Sequence, residues 1–345
     1  MIDYGVLSCA GEHLRQLTPA TKVAVVTDDH VAPLYLGTLC NSLEAAGFDV
    51  IRAIVPAGET NKHLRTLEPV YNTLLSSGIE RNTPVIALGG GVVGDMTGFV
   101  AATLLRGVPF VQIPTTLLAM VDASVGGKTG VNAGAGKNLI GAFHQPILVL
   151  ADTNTLNTLP DVEFVSGLAE CIKHEVIRDA EGFAWLEEHL DDVLAKKPEV
   201  INQFIAHNVQ IKANVVMADP LERGERAHLN FGHTFGHAIE KITNYTLPHG
   251  YAVGLGMVAA TRVALRLNKL DPTSADRIIR LIGRAGLPLT HPSIDVDRAV
   301  RYMAFDKKVV DGKVRLILPD KIGHVGIFDD VSRDVITAAM ETLRG

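Results

Sequence analysis

The sequence predicts an α/β N-terminal domain followed by a mainly α-helical C-terminal domain. Over the first ~150 residues, short, near-continuous apolar runs alternate with helical patterns, which marks a mainly parallel sheet covered on both faces. After Pro160 long helical patterns take over. A chain of 345 residues also exceeds one ordinary core, so two domains are expected, 1–155 and 156–345.

The elements follow in order. Residues 22–26 read as a buried strand, followed by polar Thr27-Asp28-Asp29-His30 and a helical segment at 34–46. A second strand is expected at 49–55, a helix at 64–76, and a third strand at 84–88 that runs into three glycines. Segments 108–113 and 147–150 supply further strands. The domain boundary falls in 152–160, and no repeat or low-complexity linker separates the halves, so a cleft between them is the expected active-site location. In the second half helices are expected at 161–178, 181–195, 198–217, 231–243, 251–267 and 274–285. A small hairpin is expected from 313–318 and 324–328, with its turn in 319–323.

Composition excludes several function classes. Hydrophobic residues make up 47%, too many for a disordered chain. Thirty-two Lys+Arg against 38 Asp+Glu give a net charge of −6, which argues against nucleic acid as the main partner. Cys9, Cys40 and Cys171 lie far apart and offer neither a disulfide framework nor a metal knuckle, which fits a reducing compartment. The start lacks the pattern of a secretory signal. The apolar stretches 85–121 and 251–267 are broken by Asp95, Arg106 and Arg262, so neither offers the ~20 uncharged residues of a membrane span. A globular cytoplasmic protein is expected.

Three motifs carry chemistry. Gly89-x-Gly91-x-x-Gly94 follows a strand and opens a helix, an arrangement that lets backbone approach a pyrophosphate. It follows the third strand instead of the first, so a plain tight turn is the competing reading; Asp28, after the first strand, could accept ribose hydroxyls. Gly126-Gly127-Lys128-Thr129 imitates a P-loop tail, but Asp122 stands where its first glycine belongs. What remains is a glycine loop with Lys128 and, nine residues on, Lys137 beside Asn138, two lysines that read as anion clamps. Finally, His233 and His237 share a helical face, His249 follows, and Glu170, Lys173 and His174 share another face. Histidines with a carboxylate suit a three-ligand metal site with an open position, although spacing alone does not select which ligate. Arg106, Lys173, Lys212, Arg226, Lys307 and Lys308 sit beside apolar or glycine-rich sequence and would suit a multiply charged anion if gathered.

The motifs together resemble the 3-dehydroquinate synthase family of the sugar-phosphate cyclases. The resemblance runs through Pro56-Ala57-Gly58-Glu59-x-x-Lys62, Gly89-Gly90-Gly91-Val92-x-x-Asp95, Arg106-Gly107 and Pro114-Thr115-Thr116. It continues in Val125-Gly126-Gly127-Lys128-Thr129, Lys137-Asn138-Leu139-Ile140-Gly141, Glu170-x-x-Lys173, Gly232-His233-Thr234-x-Gly236-His237-Ala238-x-Glu240, His249-Gly250 and Asp306-Lys307-Lys308.

That resemblance implies an NAD-binding α/β domain, a mainly helical metal-binding domain and a homodimer. It implies zinc or cobalt on Glu170, His233 and His249, with catalytic roles for Glu222, His237, Lys128, Lys173 and Arg106. NAD would meet Asp28, Glu59, Lys62, Gly90, Gly91, Val92, Asp95, Thr115, Thr116, Lys137, Thr155 and Thr158. Substrate would meet Arg106, Asp122, Lys128, Asn138, Lys173, Lys212, Arg226, Asn230 and Lys307 or Lys308. The implied reaction converts 3-deoxy-D-arabino-heptulosonate 7-phosphate, a small sugar-phosphate acid, to 3-dehydroquinate and phosphate. The rivals are a sibling cyclase making 2-deoxy-scyllo-inosose or 2-epi-5-epi-valiolone, a metal-dependent alcohol dehydrogenase and a non-catalytic nucleotide sensor.

Overall fold

β1 (Lys22–Asp28) is buried along nearly its whole length because Val23, Ala24, Val25 and Val26 offer no polar side chain to water. Such a strand requires cover on both faces, and it has it. The computed structural model describes residues 1–219, 224–304, 309–310 and 313–345. The chain divides into two units, Met1–Leu159 with Pro198–Val209, and Pro160–Lys197 with Gln210–Gly345.

In the first unit, β1 leads through α1 (Gly37–Ala45) to β2 (Asp49–Val55), and α2 (Leu64–Ser76) leads on to β3 (Val85–Gly89). α3 (Gly91–Thr103) connects β3 to β4 (Phe110–Pro114), after which come β5 (Lys128–Ala133), β6 (Gly136–Phe143) and β7 (Leu148–Val149). Five of these strands form a parallel sheet in the order β2-β1-β3-β4-β7. Alternation along β1 divides the core. Ala24 and Val26 pack with Leu67, Val70 and Leu74 of α2 and with Val93, Met96 and Val100 of α3. Val23 and Val25 pack on the opposite face with Leu39 and Leu43 of α1 and with Leu7 and Leu14. Each such aliphatic side chain contributes roughly 1.5–3 kcal/mol when fully buried.

The strand order positions the site. The chain leaves β1 on one side for β2, then crosses to β3 on the other, so the carboxyl ends of β1 and β3 flank a topological switch point, where ligands of such sheets bind. Asp28 ends β1 and Gly89 ends β3. The glycine motif thus follows the third strand in sequence but lies beside the first in space.

Four expectations need correction. The segment carrying Lys128 and Lys137 is an antiparallel β5–β6 hairpin, with Lys128 opposite Phe143 and Gly130 opposite Gly141, and not a loose glycine loop. The helix expected at 34–46 begins as a wide turn, Ala32–Leu36, before α1 proper. A helix at Val296–Ala304 was not anticipated. Pro319 lies inside a strand opposite Val325, next to a register shift, where a residue without N–H is tolerated; the turn expected from residue 319 begins three residues later, at Ile322.

The second unit contains α4 (Asp161–Arg178), α5 (Ala180–Leu194), the C-terminal part of α6 (Pro198–Ala218), α7 (His233–Ile242), α8 (His249–Arg266), α9 (Pro272–Arg284) and α10 (Val296–Ala304). The hairpin β8 (Leu316–Lys321) and β9 (His324–Phe328) and then α11 (Arg333–Glu341) complete it. α8 is the axis, packed against α4, α7, α9, α11 and β8 and buried along most of Ala252 to Ala264. Among the described residues, no helix is long and apolar enough to cross a membrane.

Candidate metal centre and nucleotide turn

Glycines bring the metal candidates together. A Cβ on Gly250 would lie 1.9 Å from the Ser166 carbonyl oxygen, and one on Gly256 would lie 2.0 Å from that of Gly232. Only hydrogen at these positions lets α8 meet α4 and α7 at backbone distance. Gly232 itself is left-handed, with φ 78°, and turns the chain into α7. The Gly250 N–H donates to Ser166 Oγ at 2.9 Å, which ties the start of α8 to α4.

Three ligand atoms result. Glu170 is fully buried on α4, and His233 and His249 are the first residues of α7 and α8. Glu170 Oε1 lies 3.5 Å from His233 Nε2 and 3.6 Å from His249 Nε2. It accepts no hydrogen bond among the described residues, whereas Oε2 is taken by the Lys173 ammonium. Both rings are oriented from behind. His233 Nδ1 donates to the Phe231 carbonyl at 3.2 Å and His249 Nδ1 to Glu240 Oε1 at 3.4 Å, leaving both Nε2 atoms facing Glu170. Outer-shell acceptors of this kind set the tautomer of metal-bound histidines. His237 stands edge-on to His233, ring centroids 5.4 Å apart, and His174 is buried further along α4.

Burial and neighbouring charge compete at each of the three groups. Burial alone would raise the Glu170 carboxyl, but Lys173, then His233 and His249, hold it well below the ordinary carboxylate range. Burial outweighs the pull of Glu170 at His233 and keeps that imidazole well below its usual value. At His249 burial works the same way, but the neighbouring carboxylates of Glu170 and Glu240 win and push it up to about 10.

Glu240 was not among the sequence candidates. It lies seven residues after His233 on the same helix face, a spacing that could have identified it.

The second unit also buries three of the cations the sequence singled out. Lys173, Lys212 and Arg226 are 2%, 6% and 3% exposed, so they are not solvated surface charges. The Arg226 N–H donates to Asp219 Oδ2 at 3.1 Å, and Asn230 ends the same short helical turn, half-buried. Glu222, Lys307 and Lys308 lie outside the described residues.

In the first unit the remaining candidates form two groups. At the switch point, Asp28 Oδ1 accepts the His30 and Val31 N–H groups at 2.9 and 2.8 Å. Gly90 caps α3 and, being a glycine, offers no side-chain cap; Gly91 and Val92 open the first turn. A Cβ on Gly90 would crowd the Thr116 methyl at 3.1 Å. The Thr115 N–H donates to the Gly89 carbonyl at 3.0 Å. Thr155 Oγ1 donates to the Asp152 carbonyl at 2.7 Å, and Thr158 meets Tyr35 Oη at 2.5 Å.

The second group surrounds the hairpin. Lys62 is 4% exposed, and its Nζ donates to Asp95 Oδ2 at 2.5 Å and to Asn138 Oδ1 at 2.6 Å. Glu59 accepts from Asn132 at 2.7 Å. Lys137 is half-buried on β6, Lys128 is exposed at the start of β5, and Asp122 is half-buried in the turn Ala119–Ala123. Arg106 is exposed in a turn where Leu105, Arg106 and Gly107 all have positive φ (50°, 69° and 120°), a strained path for the first two.

Comparisons with known proteins agree across the chain. A family model described as 3-dehydroquinate synthase N-terminal matches residues 52–166, and one described as 3-dehydroquinate synthase C-terminal matches residues 167–309. A curated 3-dehydroquinate synthase of Acidithiobacillus ferrooxidans is 50% identical over 320 residues, which is 92% of this chain and 88% of that protein. A solved 2-epi-5-epi-valiolone synthase of Streptomyces hygroscopicus subsp. jinggangensis, with NAD+ and Zn2+ bound, superposes with TM-score 0.92 at 31% identity, covering 99% of this chain and 95% of its own. A 2-deoxy-scyllo-inosose synthase complexed with carbaglucose-6-phosphate, NAD+ and Co2+ gives TM-score 0.89 at 25% identity, covering 98% and 95%. Motif order, metal-ligand geometry and these likenesses place the chain in the 3-dehydroquinate synthase family.

Proposed function

We propose that this chain is a 3-dehydroquinate synthase, converting 3-deoxy-D-arabino-heptulosonate 7-phosphate to 3-dehydroquinate and phosphate with NAD and a divalent metal, zinc or cobalt. The observation that carries it is the donor set of Glu170, His233 and His249. It offers one carboxylate oxygen without a hydrogen bond, two ring nitrogens aimed at it, and ligand atoms within 4.8 Å of one another. Mixed imidazole and carboxylate donors suit a catalytic ion with an open coordination position. NAD fits the switch point, where Gly90 supplies backbone without a capping side chain and Asp28 ends the neighbouring strand.

When bound, NAD supplies reversible hydride transfer at C5 and the ion supplies Lewis acidity toward the C4 and C5 hydroxyls. The chain's own residues do the rest. Lys128, Arg106 and Lys173 meet the charge of the departing phosphate, preorganised cations being worth most where charge develops. Lys212, Arg226, Asn230, Asn138, Asp122 and either Lys307 or Lys308 hold the substrate, while Glu222 and His237 handle protons. Glu59, Lys62, Val92, Asp95, Thr115, Thr116, Lys137, Thr155 and Thr158 hold the dinucleotide with Asp28, Gly90 and Gly91. A homodimer in the cytoplasm completes the proposal, and sedimentation of the purified chain tests the assembly.

One assay tests the activity. Metal-loaded protein receives the heptulosonate phosphate with trace NAD+, and inorganic phosphate is followed. Release far beyond the NAD+ present, with no net NADH, is the expected outcome. Cyclisation of glucose 6-phosphate or sedoheptulose 7-phosphate in its place would reassign the substrate to that of a sibling cyclase, and stoichiometric NADH would indicate a dehydrogenase.

A further inference from the structure

Asn132 has no role in the functional scheme above, yet it joins two of its parts. Its Nδ2 donates to Glu59 Oε1 at 2.7 Å, and its Oδ1 accepts the Asn138 backbone N–H at 2.9 Å. Its own N–H donates to the Lys62 carbonyl at 2.8 Å. The amide cannot be turned round, because its oxygen would then face a carboxylate and its NH2 group an N–H. Asn138 is left-handed, with φ 53°, a conformation open to asparagine that its hydrogen bonds here select. Two bonds hold it, Asn132 from the main-chain side and Lys62 from the side-chain side, at 2.6 Å. Lys62 in turn holds Asp95 at 2.5 Å. Glu59, Lys62 and Asn132 also line one cavity of about 470 Å³, so a ligand meeting Glu59 enters beside this link.

We infer that Asn132 is a positioning residue that couples dinucleotide binding at Glu59 to the substrate-binding conformation of Asn138. This rests on the proposed function, which places Glu59 on NAD and Asn138 on substrate. A ligand that fixes the Glu59 carboxylate also fixes the Asn132 amide, and with it the left-handed backbone of Asn138. Ordering achieved by one ligand is then already in place for the other, and the effect is reciprocal.

The test uses the full-length, metal-loaded enzyme. Phosphate release with NAD+ is measured first, so that failure of the parent proposal is seen separately. NADH, which cannot oxidise the substrate alcohol, is then titrated by fluorescence with and without the heptulosonate phosphate. Wild type is expected to bind NADH about tenfold more tightly when substrate is present. Asn132→Asp keeps the acceptor for Asn138 but sets a carboxylate against Glu59; Asn132→Ala removes both bonds. In each variant the tenfold ratio should fall to about one, with both KM values raised about tenfold, kcat at saturation within about threefold, and the ligand-free thermal midpoint lowered by no more than about 8 °C. The inference is overturned if wild type turns over without coupling, or if either folded variant keeps the wild-type ratio. It is equally overturned if both variants lose more thermal stability than this, which would make Asn132 a purely structural residue.

Discussion

Gly250→Ala adds one methyl group to the second residue of α8, where the structure leaves no room for it. The new Cβ would sit 1.9 Å from the Ser166 carbonyl oxygen and 2.5 Å from its carbon, both backbone atoms of α4 that no rotamer change can move. Restoring ordinary contact requires these atoms to part by about 1.5 Å, and overpacking of this kind costs roughly 1–3 kcal/mol. At about 2–4 °C per kcal/mol for a unit of this size, the thermal midpoint should fall by roughly 2–12 °C. His249 is the neighbouring residue, so its Nε2 moves away from Glu170 with the start of α8, and affinity for Co2+ should drop about 10–100-fold, the range seen when a ligand's support is disturbed. Gly254→Ala, one turn along, is the control, because its Cβ would meet Leu287 at 3.4 Å, an ordinary contact. Helix propensity favours alanine over glycine by up to about 1 kcal/mol, so Gly254→Ala should be neutral or stabilising. Differential scanning calorimetry and Co2+ titration of both variants separate the effects. A Gly250→Ala protein that melts at the wild-type temperature and binds Co2+ equally well would refute the claim that this contact sets the ligand geometry.

Glu240→Ala should weaken metal binding about tenfold without unfolding the protein, since it removes the acceptor of His249 Nδ1–H; competition against a chromogenic chelator measures this. Protein stripped by chelator should gain about 2.7 kcal/mol when Zn2+ is restored to a hundred times its dissociation constant. Glu170→Ala should show no such rise in thermal midpoint, and a full rise would remove Glu170 from the ligand set. His228 tests the electrostatics at a distance from the metal. Burial and then Arg178, whose guanidinium donates to Nδ1 at 2.9 Å, lower its pKa, against a smaller opposing pull from Glu225. A histidine with a lowered folded pKa stabilises above its unfolded value, near 6.5, and that stability is lost as pH falls through this value toward the folded one. Wild type should therefore lose more thermal stability between pH 7.5 and 5.5 than His228→Asn, and identical pH profiles would contradict this.

What was legible in the sequence depended on whether apolar periodicity or backbone proximity determined the element. α2 and α4 and strand β2 occupy the expected spans because their side chains, such as Leu67, Val70 and Leu74, repeat at the period of the structure they build. The β5–β6 hairpin was not legible, because the glycines that suggested a loop are what its pairing demands. A Cβ on Gly130 would lie 2.6 Å from the Ile140 carbonyl oxygen, and one on Gly141 2.2 Å from that of Thr129. Strand-like composition could not have been packed there. Lys62 illustrates the same limit for the site. Its motif marked it as a residue facing a ligand, yet nothing in one dimension says that Asp95 and Asn138, 33 and 76 residues away, already hold its ammonium.

The metal candidates show what the sequence alone leaves open. Four histidines and a glutamate in two windows of sequence left the ligand set open, since His237 shares a helix face with His233 as plausibly as any partner does. The ends of helices separate the candidates. His233 and His249 each stand at the first position of a helix, and each has a fixed acceptor behind Nδ1 that leaves Nε2 facing Glu170. His237, a turn inside α7, lacks that start-of-helix position. Glycines at 232 and 250 flank the two helix-start histidines and set how closely those helix ends approach α8 and α4. Which histidines come to face Glu170 is thus set by neighbours that carry no side chain at all, which is why a candidate ligand motif of this kind is read more securely with its glycines than from its histidines alone.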